Sequence, residues 1–89
     1  MIDHSKLELL AADVGARLLE RGEVITTAES CTGGWVSQVV TAIAGSSNWF
    51  DRGFVTYSNA AKADMLGVSK KTIVRHGAVS EPVAIEMAQ

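Results

Sequence analysis

Apolar residues in the first part of the chain recur every three or four positions. The apolar face consists of Leu7, Leu10, Ala11, Val14 and Leu18, and most of the charged residues lie off it. This periodicity predicts an amphipathic helix. Ser5 and Glu8 have the spacing of a capping box, which predicts that the helix begins at Ser5. Gly22 predicts its end, because glycine adopts the left-handed conformation at low cost.

Two short segments are rich in β-branched residues and predict strands. The first covers residues 24–28 and is expected to end at Glu29, and the second covers residues 54–57. Branched side chains pack well on a pleated surface, which is why such runs favour strands. Between them, residues 35–44 predict a second helix, and the sequence Gly-Ser-Ser-Asn at positions 45–48 predicts its end.

Three further helical signals follow the second strand. Asn59 is a good N-cap for a third helix, which we expect to end at Gly67. Residues 69–75 predict a shorter helical turn. The sequence Ser-Glu-Pro at positions 80–82 predicts another helix start, since proline fits the first turn and an acid favours the positive end of the helix dipole.

The order of these elements predicts an α/β fold, namely a three-layer-like parallel-sheet domain with crossover helices. A composition of 47% hydrophobic and 20% charged residues fits one globular domain over residues 1–89. Two strands make a poor sheet, however, and a domain of this size buries little surface. We therefore expect residues 1–89 to be the N-terminal part of a longer domain, truncated after Gln89.

Charge and cysteine usage exclude several classes of partner. The net charge of −2 comes from eight basic and ten acidic residues without runs, so we expect no nucleic-acid partner and no polybasic membrane anchor. Cys31 is the only cysteine, which excludes a disulfide framework and a zinc quartet. The chain also has no signal-peptide pattern and no apolar run of membrane-spanning length. We expect a cytoplasmic protein without a bound metal.

The segment of residues 27–34, Thr-Ala-Glu-Ser-Cys-Thr-Gly-Gly, is the strongest candidate for chemistry. It places the hydroxyl of Ser30 at the carboxyl end of a strand, just before two glycines and a helix. Ligands of open α/β sheets bind at this edge, where free N–H groups can hold a phosphate or an oxyanion. The simpler interpretation is that Ser30 or Thr32 caps the helix and the glycines form a tight turn. Spacing alone favours this simpler interpretation.

The same segment resembles the signature of the C-terminal domain family of competence-damage-inducible protein A. Further blocks that match the family follow in order at residues 44–47, 53–59, 62, 66–68 and 77–81. The resemblance implies an α/β fold and hydrolysis of the carboxamide of nicotinamide mononucleotide to nicotinate mononucleotide and ammonia. It also implies a serine mechanism without a metal or other cofactor. Family members continue into a glycine-rich block that has no counterpart in this chain.

The resemblance assigns roles to particular residues. Ser30 would be the nucleophile, and Lys62 or Tyr57 would be the general base, a choice that stays open. The expected substrate-binding residues are Glu29, Cys31, Thr32, Gly33 and Gly34. Cys31 is the rival nucleophile and ranks second, because a single cysteine without a nearby histidine is more often a small buried residue. A lysine on a surface helix is usually only a solvated charge.

Some alternatives concern the protein as a whole. The leading hypothesis gives it a small-molecule nucleotide substrate. The competing one makes it a non-enzymatic module that binds a nucleotide or a partner, or an inactive fragment of the amidase. Self-association into a homo-oligomer is left open. Trp49 and Phe50 are expected in a loop, where they could stack on a pyridine ring. His4 and His76 are expected to be ordinary surface histidines.

Overall fold

A computed structural model describes residues 4–89 of the chain. The elements follow in the order α1 (His4–Arg21), β1 (Ile25–Glu29), α2 (Trp35–Thr41), a 3₁₀ turn (Ser46–Asn48), β2 (Phe50–Val55), α3 (Asn59–Leu66), α4 (Lys70–His76) and α5 (Glu81–Ala88). Within the described residues, none of the helices combines the length and the apolar character needed to cross a membrane.

The two strands pair with each other in parallel. At their starts, the N–H of Ile25 donates to the carbonyl of Trp49 over 2.8 Å, and at their ends the N–H of Thr56 donates to the carbonyl of Glu29 over 2.8 Å. Parallel neighbours need a crossover connection, and α2 lies in that connection. The described part of the chain forms a two-stranded sheet, and the predicted α/β class is confirmed.

Glycine and serine signals at helix ends were mostly predictive. Gly22 and Gly67 have φ values of 64° and 70° and follow α1 and α3, as expected. Two predicted caps are wrong. Ser5 lies inside α1, which already includes His4. The cap of α3 is Ser58 and not Asn59, because the Ser58 hydroxyl accepts a hydrogen bond from the N–H of Ala61 over 3.0 Å.

The prediction for the second strand also needs correction. β2 starts at Phe50, four residues earlier than expected, and it ends at Val55. The early residues of β2 lack β-branched side chains, so their strand conformation comes from pairing with β1 and not from local propensity. Tyr57 therefore lies beyond the strand.

The described residues divide into two compact units, and the first contains the chain up to Thr27 together with Gly34–Gly53. In this unit α1 packs against α2. Trp49 is only 2% exposed, and a Cβ atom added to Gly15 would lie 2.4 Å from its indole ring. Trp49 lies in the turn before β2, as expected, but its burial leaves it no exposed face to stack on a pyridine ring. Phe50 was expected in the same loop and instead belongs to β2.

The predicted apolar face of α1 is confirmed only in part. Ala11 is buried and Leu7 and Leu18 are half-buried, as expected, whereas Leu10 is 60% exposed and Val14 is also exposed. Gly15, which faces Trp49, is buried and was not part of the predicted face. A bulky indole needs small residues opposite it, and this requirement is invisible in the periodicity of α1 alone.

The second unit consists of Ala28–Gly33 and Phe54–Gln89, and in it α3, α4 and α5 pack against one another. The predicted start of α5 is confirmed, since the Ser80 hydroxyl caps the helix by accepting from the N–H of Val83. Glu86 on α5 accepts hydrogen bonds from the N–H of Ser69 over 2.8 Å and from the Thr72 hydroxyl over 2.5 Å. Glu86 therefore ties α5 to the first turn of α4.

Candidate active site

The candidate nucleophile lies in a tight turn directly after β1. The N–H of Gly33 donates to the carbonyl of Ser30 over 3.0 Å, and Gly33 has a φ of 60°. Glycine suits this position, because other residues rarely adopt such a positive φ. The Thr32 hydroxyl donates to the Glu29 carboxylate over 2.8 Å and holds the turn to the end of the strand.

Two backbone N–H groups of this turn are free to bind a ligand. Within the described part of the chain, the N–H groups of Cys31 and Thr32 make no hydrogen bond. Cys31 and Thr32 are the first and second residues after Ser30. Free N–H groups beside a hydroxyl nucleophile are the donors that stabilise a developing oxyanion in acyl transfer.

Ser30 lines an open cleft within the second unit. The cleft has a volume of about 420 Å³ and is lined by Ser30, Cys31, Ala78, Val79, Ser80, Glu81, Ala84 and Met87. Small-molecule pockets commonly have volumes of about 300–1000 Å³. The cleft is thus large enough for part of a nucleotide, and it exposes the serine next to a mostly apolar wall.

Lys62 occupies an unusual position for a lysine. Its side chain is on α3, is 2% exposed and donates from Nζ to the backbone carbonyl of Tyr57 over 2.9 Å. Tyr57 itself is 74% exposed, and neither residue lines the cleft. The interpretation of Lys62 as a solvated surface charge is wrong. Burying an ammonium group is costly, so a buried lysine calls for a reason beyond packing.

Thr56 is a further buried polar residue in this unit, and the sequence reasoning missed it. The residue is 0% exposed, and its side-chain hydroxyl has no hydrogen-bond partner within the described residues. Its backbone N–H binds the carbonyl of Glu29, next to Ser30 in the chain. From the sequence, a threonine after a β-branched run indicates only a strand former.

The remaining predicted binding residues have different environments. Glu29 is 4% exposed and accepts from Thr32, so its carboxylate belongs to the support of the turn. Cys31 is exposed and lines the cleft. Gly34 belongs to the first unit, where it precedes α2 with a φ of 102°.

The opposite wall of the cleft was not predicted at all. Residues from the segment before α5 and from α5 itself, about fifty positions after Ser30, supply that wall. A resemblance to the family block at residues 77–81 was the only sequence signal near it.

Among residues 4–89, no group of three or more histidine, cysteine, aspartate and glutamate side chains is placed to hold a metal ion.

The two parallel strands carry a serine-bearing turn at their carboxyl end, and a cleft lies beside that serine. This is the ligand-site geometry of open parallel sheets in α/β proteins. The family model described as the CinA C-terminal domain matches residues 7–89. The chain belongs to this family.

Curated relatives support the same assignment. The nicotinamide-nucleotide amidohydrolase PncC of Escherichia coli K12 is 64% identical over 84 residues, which cover 94% of this chain and 51% of the relative. A CinA-like protein of Syntrophobacter fumaroxidans is 60% identical over 82 residues, which cover 92% of this chain and 19% of that protein. The chain thus spans about half the length of the PncC protein, or less of longer relatives.

Solved structures have the same fold over the matched part. The competence/damage inducible protein of Agrobacterium tumefaciens matches with a TM-score of 0.90 at 50% identity, over 92% of this chain and 50% of that chain. A CinA superfamily protein of Escherichia coli matches with a TM-score of 0.91 at 38% identity, over 98% of this chain and 51% of that chain. The resemblance inferred from the sequence blocks is therefore confirmed.

Proposed function

We propose that this chain contributes the nucleophile-bearing half of a nicotinamide-nucleotide amidohydrolase. The substrate would be nicotinamide mononucleotide, and the products would be nicotinate mononucleotide and ammonia. The observation that carries the proposal is the position of Ser30, on a tight turn that opens into a cleft of about 420 Å³. The name of the Escherichia coli relative supports the substrate class.

The reaction would proceed in two steps. The Ser30 hydroxyl attacks the carboxamide carbon and loses its proton to a base, and the N–H groups of Cys31 and Thr32 stabilise the oxyanion. Collapse of this intermediate breaks the C–N bond, and ammonia leaves with a proton returned by the base. Water then hydrolyses the ester on Ser30, which releases nicotinate mononucleotide and restores the hydroxyl.

Lys62 and Tyr57 remain the two candidates for the base. An ammonium group has no lone pair, so Lys62 can serve as the base only as the neutral amine. The neutral amine can still donate to the carbonyl of Tyr57, and its lone pair is then available for the proton of Ser30. Lys62→Met should then lower kcat more than it weakens substrate binding, because a proton-transfer group acts mainly in the transition state.

Measurement of ammonia release from nicotinamide mononucleotide tests the proposal. Ser30→Ala should reduce kcat by roughly 10³-fold or more, whereas Cys31→Ala should retain most of the activity. Thr41→Ala, which removes an exposed hydroxyl in the first unit outside the matching blocks, is the matched control and should behave as wild type. If Cys31→Ala abolishes turnover and Ser30→Ala does not, the cysteine is the nucleophile.

A module that binds the nucleotide without turnover is the alternative. Mass spectrometry for an acyl adduct on Ser30 with a slow substrate separates the two functions.

Because the chain spans half of its PncC relative, we propose that these residues form the N-terminal part of one longer amidohydrolase domain and that full activity requires the other half. The assay is therefore run on the chain alone and on the chain extended by the remaining half of the Escherichia coli relative.

Solution mass measured by light scattering on both forms determines whether the protein associates with itself. The proposal includes a cytoplasmic, small-molecule role without nucleic-acid or membrane partners, consistent with the net charge of −2. Robust turnover by a monomer of the chain alone would contradict the requirement for the second half.

A further inference from the structure

We propose that Glu81 is a specificity-determining residue, which selects substrates whose pyridine ring carries a positive charge. The proposal rests on the proposed function of Ser30 and adds a recognition element for the same cleft. Glu81 is the first residue of α5, and it lines the cleft together with Ser30. It is the one charged residue among those that line this cleft.

The carboxylate of Glu81 has no other task among the described residues. It takes part in no ion pair and in no side-chain hydrogen bond within residues 4–89. The other polar residue on its side of the cleft, Ser80, is already engaged. The Ser80 hydroxyl donates to the carbonyl of Gly77 over 2.8 Å and accepts from the N–H of Val83 over 3.4 Å. Glu81 is thus available to interact with a ligand.

The wall beside Glu81 suits a flat ring. Val79, Ala84 and Met87 supply apolar surface, and a thioether packs favourably against an aromatic ring. The nicotinamide ring of the mononucleotide is joined to ribose through its ring nitrogen and therefore carries a unit positive charge. A negative carboxylate next to an apolar wall attracts such a ring more than a neutral ring of the same shape.

Charge recognition of this kind also distinguishes substrate from product. Hydrolysis of the carboxamide creates a carboxylate on the same ring, so the product ring is a zwitterion without net charge. The attraction of Glu81 for the ring nitrogen is then opposed by repulsion of the new carboxylate. We expect Glu81 to favour binding of the substrate and to contribute little to binding of the product.

Calorimetric titration with three ligands tests this proposal, and it uses the chain extended by the remaining half of the Escherichia coli relative. The ligands are nicotinamide mononucleotide, its reduced form with a neutral dihydropyridine ring, and nicotinate mononucleotide. Glu81→Gln should weaken binding of the first roughly three- to tenfold and change binding of the other two by less than about twofold. Asp64→Asn removes an exposed acid of α3 outside the cleft and should leave all three affinities unchanged.

Four results would overturn the role of Glu81. Glu81→Gln could weaken binding of all three ligands equally, which would indicate a structural role, or it could have no effect. Asp64→Asn could have the same effect as Glu81→Gln. Finally, none of the three ligands could bind. Ammonia release separates this proposal from the proposed function. In the extended chain, turnover that depends on Ser30 without charge selection refutes Glu81 alone. Charge selection without turnover in the same extended chain supports Glu81 and refutes the amidohydrolase.

Discussion

Replacement of Lys62 by methionine should make the protein more stable, although it should remove activity. Lys62 is 2% exposed, and its ammonium group donates to one backbone carbonyl, that of Tyr57, over 2.9 Å. A hydrogen bond from a charged donor contributes about 1.5–3 kcal/mol. Taking an ion out of water costs several kcal/mol even after the protein relaxes. The desolvation cost is the larger of the two.

Methionine has a similar length and no charge, so it fills the same space without the cost of desolvation. We expect Lys62→Met to raise the free energy of unfolding by about 1–3 kcal/mol. The loss of the hydrogen bond to the Tyr57 carbonyl would reduce this gain. For a chain of this size, each kcal/mol shifts Tm by about 4–8 °C. Urea unfolding followed by circular dichroism measures the free energy, and a thermal scan measures Tm.

Lys71 provides the matched control, because it is an exposed lysine on α4. Lys71→Met should change the free energy of unfolding by no more than about 0.5 kcal/mol. If Lys62→Met instead lowers the stability by 1 kcal/mol or more, the lysine is held by interactions that the fold needs. In that case its burial would be a structural feature and would give no support to a role in proton transfer.

Three further predictions concern single side chains. Thr56→Val should stabilise the protein by about 1–3 kcal/mol in urea unfolding, because it replaces a buried hydroxyl that has no partner with a methyl group of the same shape; a loss of stability would reveal a hidden partner. Gly15→Ala should destabilise it by about 1–3 kcal/mol despite the better helix propensity of alanine, because the new Cβ would lie 2.4 Å from the ring of Trp49; an unchanged Tm would contradict that packing. The pKa of the Glu86 carboxyl is lowered, chiefly by the hydrogen bond from the Thr72 hydroxyl. The N–H of Ser69 and the charge of His76 act in the same direction, and burial opposes them. The stabilisation by the ionised Glu86 carboxylate is therefore present above the ordinary glutamate pKa and is lost as the pH falls through the lowered value. Wild type should then lose more stability below about pH 5 than Glu86→Gln does. Parallel pH profiles of the free energy of unfolding would contradict this.

Local signals explain which parts of the fold were predictable. Gly22, Gly67 and Ser80 mark helix ends through the conformation or hydrogen bond of a single residue, and these predictions were correct. The serine-bearing turn after β1 was predictable for the same reason. The order of helices and strands followed from these signals, and it was sufficient for the α/β class.

Features that depend on a distant contact were not predictable. The burial of Gly15 on α1 depends on Trp49, which lies over thirty positions later in the chain. The burial of Lys62 has no signature in its own helix, where an isolated lysine indicates a solvated side chain. The far wall of the cleft comes from residues about fifty positions after Ser30, and no spacing rule connects them.

The division into two units gives the protein a built-in spectroscopic asymmetry. Both tryptophans, Trp35 and Trp49, belong to the first unit, whereas the one tyrosine, Tyr57, belongs to the second. Trp49 is buried, so its emission should move to longer wavelength when the first unit unfolds. Indole fluorescence therefore reports on the first unit alone, while α3, α4 and α5 contribute to the far-ultraviolet dichroism. Coincident transitions by the two signals would mean that the units unfold as one cooperative structure, and separated transitions would mean that each melts independently.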